Sequence, residues 1–226
     1  MTKKLKVWIY GGGFASGTST LKIYDPRIIV SETQLIYVSI QYRLNIFGFL
    51  YMDHENAPGN QGLLDQYTAL KWVHNNIQYF GGDSTQITIF GESAGSVSVS
   101  LHLLSTLSSN LFRNAIMESG TALADWAVLK NSDAINRYTG ILNHMGCNGT
   151  NYEMIECARK VDMKTALEKA DEHFYMHANH GVAQFTFLPV VDHYFLDEEP
   201  LSLLNRGKFK KVNRFHNSKC MGIFLF

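Results

Sequence analysis

The residues of this chain best suited to chemistry are Gly91-Glu92-Ser93-Ala94-Gly95. A serine between glycines at this spacing can occupy a turn so tight that a Cβ at position 91 or 95 would crowd a neighbouring strand or helix. Five strand-forming residues, Gln86 to Phe90, lead in, and an apolar-faced helix starts at Ala94. Strand, turn and helix in that order are the setting of a nucleophile elbow, which holds the serine strained and exposed with Oγ at the head of the helix. The pentapeptide alone is weak. With 18 Gly in 226 residues, chance supplies roughly one such match in ten chains of this kind. A plain Gly-rich turn is the bland alternative, and the flanking elements tell against it.

An acyl-transfer serine also needs donors for the oxyanion that develops on the attacked carbonyl. Gly11-Gly12-Gly13 follows the apolar run Val7-Trp8-Ile9 and offers backbone N–H groups free of side chains. The expected set is Gly12, Gly13 and Ala94, the residue after the nucleophile. A Gly-rich loop after a strand could instead cradle a phosphate. The G-x-G-x-x-G spacing is not met, however, and no P-loop Lys-Ser/Thr pair follows.

The third requirement is a base, and the histidines do not supply one. His102 lies nine residues along the helix from Ser93, roughly 13 Å at about 1.5 Å per residue, too far to reach Oγ. His173, His177 and His180 have metal-like spacing, but Phe174 stands where a zinc-protease helix needs Glu. They read as solvated surface histidines. His216 falls in the C-terminal tail, and nothing in the pattern brings it to Ser93.

The elements that must hold these residues can be read from periodicity. Leu5–Tyr10, Leu35–Ile40, Gln86–Phe90 and Asn114–Met117 have strand character. Leu63, Tyr67, Leu70, Val73 and Ile77 recur at helical spacing, and Gly81-Gly82-Asp83 ends that helix. A second helix runs from Ala94 to about Leu104, and the stretch from Asn131 to Ala170 is helical and more polar. Short apolar strands alternating with helices predict an α/β fold with a mainly parallel sheet covered on both faces.

Lys+Arg and Asp+Glu number 20 each, so there is no net field to attract nucleic acid. No stretch approaches the ~20 apolar residues that span a bilayer. The opening residues carry charge without a long apolar run, so they do not read as a signal peptide, and the chain is expected to begin inside a longer unit. Cys147 and Cys157 bracket a polar loop that a disulfide could close. That loop also holds the glycosylation sequon Asn148-Gly149-Thr150, and the two features together suit an oxidising, secretory setting.

At this level the chain resembles the type-B carboxylesterases, and within them the cholinesterase branch. Phe80-Gly81-Gly82, four residues, Ile87, Ile89 and Gly91 to Gly95 reproduce that family's active-serine signature. Ala57-Pro58-Gly59-Asn60-Gln61-Gly62-Leu63-Leu64-Asp65-Gln66, Tyr42-Arg43 and Phe47-Gly48-Phe49-Leu50 are further blocks in the right order. Tyr10 stands where most members carry His and cholinesterases carry Tyr. The resemblance implies an α/β-hydrolase fold over residues 1–212, Ser93 as acyl-enzyme nucleophile, and Gly12, Gly13 and Ala94 as the oxyanion hole. It implies that Glu92 helps hold a cationic substrate, that Trp126 and Phe185 line the acyl pocket, and that Cys147 and Cys157 are bonded. Core packing is the alternative for the two aromatics. Ala183 stands where many acetylcholinesterases place a second Phe, which implies a roomier pocket.

Residues 213–226 depart from the family pattern, and the family's Glu and His would come later in the chain. The family's signal peptide, first disulfide loop and choline-binding Trp would precede Met1. The expectation is therefore a serine ester hydrolase acting on a small carboxylic ester, a choline ester among the candidates, secreted and without cofactor or metal, whose 226 residues do not complete the catalytic set. A non-catalytic adhesion or interaction homologue is the alternative, and retention of Ser93 speaks for the enzyme.

Overall fold

A parallel strand has to be entered from the far side of the sheet, so each βαβ unit brings the chain back across a face before the next strand. The computed structural model, which describes residues 2–177, 185–212 and 215–218, is built this way. Its elements in chain order are β1 (Lys3–Ile9), α1 (Arg27–Thr33), β2 (Ile36–Ser39), α2 (Asn45–Phe49), β3 (Tyr51–His54), β4 (Ala57–Pro58) and α3 (Gln61–Asn76). Then come β5 (Gly82–Glu92), α4 (Ala94–Leu104), β6 (Asn114–Glu118), α5 (Asn131–His144), α6 (Asn151–Ala158), α7 (Met163–His177), α8 (Pro200–Asn205) and β7 (Phe215–Ser218). The main sheet has the order β2-β1-β5-β6-β7, and every neighbouring pair is parallel. β3 and β4 form a small antiparallel pair apart from it.

The expected α/β-hydrolase class is therefore the observed one. β1 and β5 lie in the middle, with Val7 opposite Ile89 and Ile9 opposite Gly91. Leu5, Val7, Ile9, Ile87 and Ile89 are fully buried, as strands covered on both faces require. Leu63, Leu70 and Val73 of α3 and Val97 and Leu101 of α4 complete the core on the helix side. Gly81 stops the preceding helical turn in a left-handed conformation, φ 78°, with its Cβ position open to solvent.

Three features depart from the periodicity reading. β5 starts at Gly82 rather than Gln86, because Lys3 of β1 pairs with Gly82. α7 runs past Ala170 to His177. The short α1, α2 and the β3–β4 pair were not anticipated, being too brief to show a period. A disulfide joins Cys147 and Cys157, whose Cα atoms stand 5.5 Å apart, beside the exposed Asn148. Ala183, His180 and Cys220 lie outside the described residues. No described helix is long and apolar enough to cross a membrane.

Candidate active site

Ser93 sits between the end of β5 and the start of α4 with φ 55° and ψ −121°, a conformation that residues bearing a Cβ rarely adopt. Its surroundings explain why the chain stays there. A Cβ on Gly91 would come within 2.5–2.6 Å of the Gly95 carbonyl group and 2.6 Å of the Ile9 carbonyl oxygen. A Cβ on Gly95 would enter the Ile9 carbonyl itself. The turn is thus pressed against the end of β1, and only glycines fit on either side of the serine. Ser93 N–H donates to the Glu118 carbonyl at 2.9 Å, and its own carbonyl accepts from Val97 N–H at 2.9 Å. Gly120 closes the other side, where a Cβ would stand 2.6 Å from the Ser93 carbonyl oxygen.

The same packing brings the Gly11–Gly13 loop to the serine. A Cβ on Gly11 would lie 2.5 Å from the Glu92 carbonyl oxygen and 3.1 Å from both Ser93 Cβ and Glu92 Oε2. Gly12 and Gly13 have φ 115° and 64°, left-handed values that suit glycine. The Gly12 carbonyl accepts from Ala15 and Ser16 N–H, which folds the loop back on itself. Its stem is held by two tyrosines that stack with centroids 4.5 Å apart: Tyr10 OH donates to the Tyr42 carbonyl at 3.2 Å, and Tyr42 OH donates to the Tyr10 carbonyl at 2.7 Å. Among the described residues neither Gly12 nor Gly13 N–H has an acceptor. The Ala94 N–H belongs to the first turn of α4, where helix geometry leaves donors without partners.

The Phe185 ring covers Gly13, whose Cβ would fall inside it, and meets Trp126 edge-on at 5.2 Å. The backbone that carries Phe185 is fixed from several sides. Arg137 Nη1 donates to the Phe185 carbonyl at 2.7 Å. Leu188 N–H donates to Tyr138 OH, and the fully buried Asn60 bonds both N–H and carbonyl of Val190. So the two aromatics named from the sequence touch each other, and Phe185 also covers the glycine loop, a convergence that their spacing in the chain could not reveal.

Glu92 is exposed and contributes negative charge beside the serine. Burial, with the Glu92 carboxylate second, pushes Glu118 above the usual carboxyl range, while Lys6 opposes the shift. Burial and Glu92 likewise raise Tyr24.

The histidines with described side chains lie elsewhere. His102 is fully buried, with Nε2 on Gln66 and Nδ1 on Ser108. His54 Nδ1 accepts from Asn56 N–H, His144 meets Glu172, and His193 Nδ1 meets the Asp197 carbonyl. His173 packs against the His144 ring. His74 is near the end of α3, which leads to the start of β5, whereas Ser93 follows its other end. Among the described residues no histidine bonds Ser93 Oγ, and no group of three His, Cys, Asp or Glu could hold a metal ion.

A profile described as the carboxylesterase family matches residues 3–216. The chain is 44% identical over 210 residues to Cholinesterase 1 of Branchiostoma lanceolatum, covering 92% of this chain and 59% of that protein. It is 46% identical over 208 residues to Cholinesterase of Mus musculus, with 91% and 34% covered. Against Acetylcholinesterase 1 of Caenorhabditis elegans it is 43% identical over 218 residues, with 93% and 34% covered. The chain thus spans between about a third and three-fifths of the length of these relatives.

Proposed function

The chain belongs to the carboxylesterase family, and on that footing we propose that it carries the nucleophile half of a cholinesterase-like serine ester hydrolase. The observation that supports this best is the strained Ser93 elbow pressed against the Gly11–Gly13 loop. In the proposed reaction Ser93 Oγ attacks the ester carbonyl, forms an acyl-enzyme and releases the alcohol. The N–H groups of Gly12, Gly13 and Ala94 stabilise the oxyanion, a contribution on the order of 3 kcal/mol per donor in comparable sites. Phe185 and Trp126 bound the acyl group. Glu92 offers the cationic alcohol part of a choline ester a counter-charge. The relatives whose names specify cholinesterase make a choline ester the first substrate to try.

A serine hydroxyl is a poor nucleophile until a base takes its proton. With the described histidines bonded or placed elsewhere, our reading is that the 226 residues by themselves are nearly or wholly inactive as an esterase. We place the protein in an oxidising, extracellular setting, where Cys147 and Cys157 pair and Asn148 accepts a glycan. The test is labelling by a fluorophosphonate followed by mass mapping, with turnover of an activated ester measured beside it. Label on Ser93, lost in Ser93→Ala, is the expected result. A folded chain whose label maps to a residue other than Ser93 would overturn the assignment, whereas slow labelling follows from the absence of a base beside Ser93.

A further inference from the structure

One buried group has no part in the ester chemistry above. His102 lies on α4 with Gln66 of α3, Ser98 and Ser108, all four with 0% exposure. Ser98 Oγ donates to the Ala94 carbonyl at 2.9 Å, and Gln66 Nε2 donates to Ser98 Oγ at 3.0 Å. His102 Nε2 stands 3.1 Å from Gln66 Oε1, and its Nδ1 stands 2.9 Å from Ser108 Oγ. The edge of the Phe195 ring contact, 5.2 Å between centroids, closes the pocket.

The donor directions fix one another. An amide oxygen only accepts, so His102 Nε2 carries the ring proton. A neutral ring then accepts at Nδ1, and Ser108 donates to it. At the other end the single proton of Ser98 is committed to the Ala94 carbonyl, so Ser98 accepts from the Gln66 amide. Turning the Gln66 amide around would reverse the histidine tautomer and take the Ser98 proton away from Ala94. Burial pushes the His102 pKa down to about 3, so the ring is neutral in neutral solution.

Ala94 is the residue after the nucleophile, and its carbonyl accepts the Ser98 hydroxyl within the first turns of α4. We propose that Gln66, Ser98 and His102 are positioning residues of the ester-hydrolysing site, a one-way hydrogen-bond relay that fixes the first turn of α4 behind Ser93. This rests on the esterase reading of Ser93. The relay ties α4 to α3, so the turn that presents Ala94 N–H does not shift as charge builds on the oxyanion.

Nitrogen-15 NMR of the full chain with labelled histidine reads the tautomer at pH 7. The His102 ring should be neutral with its proton on Nε2, and a proton on Nδ1 would overturn the relay. Ser98→Ala should mix the two tautomers, because Gln66 loses the partner that orients it. Val99→Ala, a packing change on the same helix, should keep one tautomer, and equal behaviour of the two variants would reduce the role to packing and refute the proposal. The rate of Ser93 labelling by a fluorophosphonate, corrected for folded fraction, should fall about five-fold in Ser98→Ala, the worth of one ordinary hydrogen bond. It should stay near wild type in Val99→Ala, and an unchanged rate in Ser98→Ala would also refute the positioning role. If the label on the folded wild type maps to a residue other than Ser93 while the Nε2 proton is seen, the esterase reading fails and the positioning role with it, while the bond chain itself stands.

Discussion

The strain at Ser93 can be weighed against its chemistry by two substitutions. Residues in sparsely populated backbone regions cost about 1–3 kcal/mol each. Ser93, at φ 55° and ψ −121°, is held in such a region by the glycines and carbonyls around it. Ser93→Gly removes the Cβ and hence the strain, but adds chain entropy to the unfolded state worth about 0.5–1 kcal/mol. The balance is a stabilisation of about 1 kcal/mol. For a chain of this size that corresponds to a rise in Tm of roughly 2–4 °C. Ser93→Ala keeps the Cβ and therefore the strain. Among the described residues the Ser93 hydroxyl has no hydrogen-bond partner, so its removal should change stability by less than about 0.5 kcal/mol. Urea unfolding of wild type, Ser93→Ala and Ser93→Gly in parallel separates the two contributions. If Ser93→Gly proves neutral or destabilising with an unchanged m-value, the serine is not strained in the way its dihedrals indicate. If Ser93→Ala stabilises as much as Ser93→Gly, the cost lies in the hydroxyl and not in the backbone.

Stability should also fall on mild acidification. The folded-state pKa of His102 is lowered to about 3 from 6.5, so below pH 6.5 the unfolded chain binds a proton that the native chain refuses. The loss accumulates as pH falls from 6.5 towards 3 and comes to about 1.4 kcal/mol between pH 7.5 and 5.5. A urea midpoint that is flat over that interval would contradict it. Reduction of the Cys147–Cys157 disulfide, which spans a sequence separation of 10, should cost about 2–3 kcal/mol, read as a lower midpoint in the presence of dithiothreitol. Finally, Ala183→Phe should slow labelling of Ser93 by a phosphonyl fluoride bearing a butyl group more than by one bearing methyl. An unchanged ratio would show that residue 183 does not bound the acyl pocket.

How far the sequence could be read depends on the distance over which each contact acts. The elbow is local: Gly91, Ser93 and Gly95 are contiguous with their strand and helix, so residue types alone announce the turn. The approach of Gly11 to Glu92 and Ser93 is not local, yet it follows from one topological fact, that β1 lies beside β5. The contact of Phe185 with Gly13 and Trp126 has no periodic signal at all and entered only through family resemblance. His102 shows the limit most plainly. Helix geometry correctly removed it from the reach of Oγ, but its partners Gln66 and Ser108 stand 36 and 6 residues away at no repeating interval. Only when α3 packs on α4 do those side chains meet.

The C-terminal strand gives the opposite lesson. Residues 213–226 are expected from their side chains to depart from the family pattern, although the family profile extends to residue 216, and nothing in them calls for a strand. Yet β7 pairs with β6 in register, Ala115 opposite Phe215 and Glu118 opposite Ser218. A sheet edge presents backbone N–H and carbonyl groups that any extended segment can satisfy, whatever its side chains. Side-chain pattern decides which strand is buried and which face it shows. Backbone hydrogen bonding decides only that an open edge is taken. The outer strand of this sheet is therefore the place where sequence has least hold on structure, whereas the elbow at its centre, crowded on every side by carbonyls, tolerates almost no other sequence.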